Sequence, residues 1–165
     1  MKLLIISTGG TINKAYDEIS GELCVQNDEV VAKALCIHAK ANIDVQIKSI
    51  IHKDSLEMTD DDRDELSNVV ANANADNIIV LHGTDTMGKS AEVVAKNIKN
   101  KKVVFVGAMK PYAYEKDEAI FNFACAVGFL RSNPESNVYI SMHSLVLRHD
   151  EIYKDKTAGE FKALK

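Results

Sequence analysis

Two uninterrupted apolar runs, Ile78-Ile79-Val80-Leu81 and Val103-Val104-Phe105-Val106, constrain the fold of this chain more than any other feature. A strand with one wet face alternates apolar and polar residues. A run that is apolar at every position is instead a strand covered on both faces, the environment of a parallel sheet flanked by helices. Strands are predicted at Leu3–Ser7, Asp44–Ile50, Asn77–Leu81, Lys102–Val106 and Asn137–Ser141, with helices at 28–41, 60–74, 88–98 and 118–131. The second helix has a start signal, because Thr59 can cap it and Asp60, Asp61 and Asp62 suit the positive end of its dipole. Its inward face reads Leu66, Val69, Val70 and Ala73. Strand–helix alternation implies right-handed βαβ units and one α/β domain: a doubly wound, mainly parallel sheet with helices on both faces. The two prolines, Pro111 and Pro134, are expected in loops.

Composition narrows the function classes. The chain has 165 residues, 46% of them hydrophobic, and a domain of this length buries roughly 68–70% of its unfolded surface. With 20 Lys+Arg against 24 Asp+Glu, the net charge is −4, which opposes a nucleic-acid binder that must neutralise phosphates. Disorder is excluded by the apolar content. No apolar run is long enough to cross a membrane. The opening Met1–Ser7 breaks at Thr8-Gly9-Gly10-Thr11 without a cleavage site, so a cytoplasmic protein is expected rather than a secreted one. Cys24, Cys36 and Cys125 are odd in number and widely spaced, unlike a disulfide framework or zinc site. Cys36 and Cys125 read as small buried thiols in helices.

In an open parallel sheet, ligands bind beyond the carboxyl ends of the strands, where the strand order switches. The loops there are Thr8-Gly9-Gly10-Thr11, His52-Lys53-Asp54-Ser55-Leu56-Glu57-Met58, His82-Gly83-Thr84-Asp85-Thr86 and Gly107-Ala108-Met109-Lys110-Pro111. Hydroxyls, a carboxylate and glycines collect at one edge. Gly9-Gly10 admits positive φ and a close ligand approach, or serves a plain strand–turn–helix connection. It matches neither the dinucleotide fingerprint nor the P-loop. Thr84-Asp85 reads as a reactive pair or as a helix cap, His82 as a satisfied buried histidine, and Asp54-Ser55 as a turn ending its strand. A threonine hydroxyl needs a base to attack, and a lysine can serve when burial or a neighbouring cation lowers its pKa. Tyr153-Lys154-Asp155-Lys156 supplies lysines but reads by default as a solvated tail. The residues alone lead to a small-molecule pocket with two threonines.

Two motifs go further. Thr8-Gly9-Gly10-Thr11-Ile12 and His82-Gly83-Thr84-Asp85-Thr86-Met87 resemble, in this order, the L-asparaginase family of bacterial type. That family comprises two-domain amidohydrolases that convert asparagine to aspartate and ammonia. Asp54-Ser55, Met58-Thr59 and Gly107-Ala108-Met109-Lys110-Pro111 add to the match. The resemblance covers all 165 residues but only the family's N-terminal domain. It implies that Thr11 is the nucleophile, assisted by Tyr16 in the following loop. It makes Thr84, Asp85 and Lys154 the second threonine and its acid–base partners, with Lys156 a rival to Lys154. Ser55 and Asp85 would hold the substrate's α-carboxylate and α-amino groups, and the Ala108 carbonyl would approach the side-chain amide. Backbone N–H groups around Gly10, Thr11 or Thr84 would stabilise the oxyanion. No cofactor or metal is implied.

The chain also departs from the pattern. Leu56 stands where the family has glutamine or serine, and the sequence ends at Lys165, where a linker to the second domain would begin. Loss of that domain's contacts predicts exposed apolar surface and a homo-oligomer. The expected function is hydrolysis of L-asparagine through a threonine acyl-enzyme. The alternatives are a non-catalytic amino-acid-binding module or a hydrolase of another small amide such as L-glutamine. A tRNA-linked amidotransferase subunit is disfavoured by the acidic charge and the lack of an added domain. Gly9→Val and Gly10→Val are expected to block ligand without unfolding the chain, and Ile79→Asp to unfold it.

Overall fold

The computed structural model describes residues 1–26, 29–39, 43–133 and 135–165. Its core is a six-stranded sheet built from β1 (Lys2–Gly9), β4 (Asp44–Lys53), β5 (Asn77–Leu81), β6 (Lys102–Val106), β7 (Val138–Met142) and β8 (Leu145–Arg148). The spatial order is β4-β1-β5-β6-β7-β8. All pairs are parallel except β7 with β8, which closes one edge antiparallel. Among the described residues four α-helices connect the strands: α1 (Val30–Ala39), α2 (Asp60–Ala71), α3 (Met87–Asn97) and α4 (Asp117–Ser132). Two hairpins lie outside the sheet, β2 (Lys14–Asp17) with β3 (Glu22–Val25), and β9 (Ile152–Asp155) with β10 (Glu160–Ala163).

Alternation along the strands divides the core into two layers. Leu4, Ile6, Ile78, Val80, Val103 and Phe105 pack with Leu66 and Val70 of α2 and with Ala91 and Val94 of α3. Leu3, Ile5, Ile79, Leu81, Val104 and Val106 pack with Ala32 and Leu35 of α1 and with Phe123 and Ala126 of α4. Both faces are therefore covered, as the two apolar runs require. α2 starts where predicted: Thr59 Oγ1 accepts from the Asp62 N–H at 3.2 Å, and Asp62 accepts from the Thr59 N–H at 2.7 Å. This reciprocal pair is a capping box.

The five predicted strands and four helices all lie where elements occur, although the helix predicted at 28–41 extends beyond the described residues at both ends, and Pro134 lies outside them. The predicted inward residues of α2 and its C-terminal turn face the core, Leu66 and Val70 fully buried and Val69 and Ala73 packed against them partly buried, and Arg63 and Ser67 are buried beside them. Cys36 and Cys125, expected to be buried, are half-buried.

Candidate functional site

β1 and β5 are neighbours in the sheet, but the chain leaving β1 visits β4 on the opposite side before returning to β5. The loops after β1 and β5 therefore flank the switch in strand order, where a crevice forms. Gly10 has φ 78° and ψ −179°, a combination essentially restricted to glycine. Its N–H donates to the Lys53 carbonyl at 2.9 Å. A Cβ built on Gly10 would stand 2.3 Å from the Gly83 N and Cα, and one on Gly9 would stand 2.5 Å from the Lys53 carbonyl oxygen. The glycines thus allow close packing of backbone on backbone, and the Gly10 N–H is committed to Lys53. Thr11 follows directly, half-buried, as the first residue of a 3₁₀ turn over Thr11–Asn13. The first N–H groups of such a turn have no partner within it.

Thr84 follows Gly83 as Thr11 follows Gly10, so the paired glycines bring the two threonines to neighbouring positions. Thr84 is buried. Lys154 comes to it from β9: its Nζ donates to Thr84 Oγ1 at 2.8 Å and to Asp85 Oδ1 at 3.0 Å. The expected solvated tail is in fact the inner face of a hairpin. Ile152 and Phe161 are buried while Tyr153 is exposed, and alternation turns Lys154 inward with Ile152. Lys156 is exposed beyond the end of β9. A cleft of about 250 Å³ runs beside the trio, walled by Ile140, Ile152 and Phe161 and rimmed by Lys89 and Lys156.

Ser55 is fully buried and its Oγ has no hydrogen-bond partner. Its loop is held by Thr86, whose Oγ1 donates to the Ser55 carbonyl at 2.7 Å and accepts from Arg63 Nη2 at 3.2 Å. Asp54 accepts from Lys14 Nζ at 2.6 Å. Burial pushes the Asp54 carboxyl up, but the Lys14 ammonium, the Leu56 N–H and the charge of Lys154 outweigh it and hold the pKa below the usual range. Leu56 points into solvent.

Ala108 is buried at the exit of β6. Its turn is fixed from α4, where Glu118 accepts the Met109 N–H at 3.0 Å and Asn122 donates to the Gly107 carbonyl at 3.0 Å. His82 is fully buried, with Nδ1 2.8 Å from the Gly83 carbonyl and Nε2 unpartnered. Burial is the main cause that pulls its pKa down to about 4, so the ring is neutral and Nδ1 donates. The expected satisfied histidine is satisfied on one nitrogen only. Tyr16 lies on β2, 57% exposed, with its hydroxyl turned toward Gly21 near the hairpin tip. The structure thus gathers Thr84, Asp85 and Lys154 in one bonded trio and sets Thr11, Ser55 and Ala108 on the adjoining loops. Among the described residues, no group of three or more His, Cys, Asp or Glu could hold a metal ion. No helix of the described residues is long and apolar enough to cross a membrane. Arg63, Glu118 and Asn122 support these loops from the helices, where polar residues on otherwise apolar faces were the only sign of them in the sequence.

Residues 2–164 match the family described as Asparaginase, N-terminal, and the chain belongs to that family. An L-asparaginase of Thermococcus kodakarensis is 26% identical over 163 residues, which is 96% of this chain and 49% of that protein. A glutamyl-tRNA(Gln) amidotransferase component of Methanosarcina acetivorans is 32% identical over 148 residues, covering 86% of this chain and 34% of that protein. The solved thermostable L-asparaginase from Thermococcus kodakarensis superposes with a TM-score of 0.86 at 25% identity, over 99% of this chain and 51% of that one. A probable cytoplasmic L-asparaginase from Campylobacter jejuni shares the fold, with a TM-score of 0.81 at 24% identity over 98% and 52% of the two chains. The chain spans about half the length of these asparaginases and about a third of the amidotransferase relative.

Proposed function

We propose that this chain carries the threonine–lysine–aspartate portion of an amidohydrolase site, and that it hydrolyses the side-chain amide of L-asparagine to L-aspartate and ammonia. The observation that supports the reading is Lys154 Nζ, bonded at once to Thr84 Oγ1 at 2.8 Å and Asp85 Oδ1 at 3.0 Å. A threonine hydroxyl becomes an effective nucleophile only beside a group that accepts its proton. In this reading Thr11 attacks the amide carbon and passes its proton to Thr84, whose own proton goes to Lys154 in its neutral amine form across the same contact, and the resulting ammonium, held by Asp85, returns that proton through Thr84 to the leaving nitrogen. The C–N bond breaks, the nitrogen leaves as ammonia, and water cleaves the resulting ester to regenerate the threonine. The unpartnered Ser55 Oγ takes the substrate's α-carboxylate, Asp85 its α-amino group, and the Ala108 carbonyl the amide N–H. With the Gly10 N–H engaged by Lys53, the oxyanion donors are the N–H groups of Thr11 and of the Thr84 loop. Cytoplasmic location and self-association through exposed rim residues such as Ile19, Leu23 and Leu56 belong to the same proposal.

A second reading is favoured by the glutamyl-tRNA(Gln) amidotransferase relatives, among them one 32% identical. In it the same trio releases ammonia within a larger assembly, another component carrying the RNA because this chain's charge of −4 suits no phosphate backbone.

Ammonia release from L-asparagine and from L-glutamine, with Thr11→Ala and Lys154→Met run beside the wild type, tests these readings. Release from L-asparagine that both variants abolish is the expected result. Release from L-glutamine alone favours the second reading. Silence from the wild type, with thermal stabilisation by L-aspartate, replaces both with a binding module.

A further inference from the structure

The exit of β7 carries a residue that the proposed reaction leaves unused. His143 and Ser144 turn the chain from β7 into β8, with φ of 51° and 70°, a conformation that residues other than glycine hold only when their surroundings fix it. His143 is fixed through three groups. Its N–H donates to Asn122 Oδ1 at 3.0 Å, its Nε2 lies 3.2 Å from Glu118 Oε1, and its Nδ1 accepts the Phe161 N–H at 3.1 Å. Because Nδ1 accepts, the neutral ring carries its proton on Nε2 and donates it to Glu118. The ring also meets the Phe161 ring edge-on, with centroids 5.9 Å apart.

Each partner leads to a different wall of the site. Glu118 and Asn122 hold Met109 and Gly107, the residues on either side of Ala108. Phe161 is the cross-strand partner of Lys154, and directly opposed residues share a face of the hairpin. The β9–β10 hairpin forms its own two-stranded sheet. Its seat on the domain is therefore set by side-chain bonds of this kind and by the burial of Ile152 and Phe161.

We infer that His143 is a positioning residue: it fixes Lys154 relative to the Ala108 turn, and so sets the spacing between the proton acceptor and the carbonyl that meets the amide. The inference rests on the amidohydrolase reading, in which those two groups face one substrate.

Two near-isosteric variants separate the halves of the clamp. His143→Asn places Oδ1 near the δ position, can accept from Phe161, and tolerates the positive φ. His143→Gln reaches the ε position toward Glu118 and loses the acceptor. The expected result on the 165-residue chain is a drop in kcat of about tenfold or more for His143→Gln, with KM for L-asparagine little changed, and recovery of most of kcat in His143→Asn. Hydrogen exchange of peptides spanning 152–163 should quicken in the Gln variant and not in the Asn variant. Equal kcat and equal exchange in the two variants overturns the inference. An inactive wild type overturns the amidohydrolase reading and the catalytic role together, whereas an active wild type with indifferent variants overturns the positioning role alone.

Discussion

Gly10 and Gly83 touch backbone to backbone, close enough that a Cβ on Gly10 would stand 2.3 Å from both the N and the Cα of Gly83. The contact is the reason that threonines 73 positions apart in sequence, Thr11 and Thr84, occupy adjoining loops. A side chain on Gly10 would displace the loop after β5, and one on Gly83 would stand 2.6 Å from Ser55 Cβ.

Gly10→Ala should therefore destabilise the whole domain, not merely the ligand site. A strained φ and a backbone clash together cost about 3 kcal/mol or more, read as a lowered urea midpoint. Gly128→Ala is the control. Gly128 is exposed inside α4 with open space around it, and the change should raise stability by about 0.5–1 kcal/mol. A Gly10→Ala chain as stable as the wild type would show that the loops can part.

Ile79→Asp should leave no cooperative unfolding transition. Ile79 is fully buried in β5, between β1 and β6, and an unpaired carboxylate there costs about 3–5 kcal/mol, a large part of a small domain's stability. Circular dichroism against temperature is the check, and a native-like melt would contradict the strand's central place.

The two lysines of the hairpin should behave differently. Lys154→Met is expected to lower ammonia release by about 10²-fold or more, because it removes the group bonded to Thr84 and Asp85. Lys156→Ala, on the exposed turn, should stay within a few-fold of wild type. Comparable losses would mean that the turn's charge, not the bonded amine, carries the effect.

Stability should fall on acidification because of His82. The ring has a pKa of about 4 in the fold against 6.5 when unfolded, so between these values the unfolded chain binds more protons than the native one. The His82 contribution is then full above about pH 6.5, declines as pH falls toward 4, and is constant below it, a loss of about 3 kcal/mol over that window. Urea midpoints at pH 7, 5.5 and 4 measure the slope. His82→Asn, which can still donate to Gly83 but does not titrate, should flatten it.

The central strands were legible because their burial is written at every position: Ile78–Leu81 and Val103–Val106 have no alternative environment. The α2 cap was equally legible, since Thr59 and Asp62 meet within one helical turn. The elements that escaped were β2, β3, β8, β9 and β10, each four residues long. Runs that short are ordered by what they pack against, not by their own periodicity. Lys154 read as solvated because its bonds reach back 70 and 69 residues, to Thr84 and Asp85. The family resemblance named Lys154 where periodicity could not. His143 escaped both routes, although it stands at the carboxyl end of β7, on the edge of the sheet where ligands gather.

The separation of the proposed site's parts along the chain has a kinetic consequence. Thr11, Ser55, Thr84, Ala108 and Lys154 come from five segments, and the parallel pairs beneath them join strands distant in sequence, a topology that folds slowly. Lys154 cannot reach Thr84 until β5 is seated and the β9–β10 hairpin has docked. In a refolding experiment, recovery of helix and strand signal should run ahead of recovery of activity. The interval between the two is the lifetime of a chain whose sheet is built and whose site is still open.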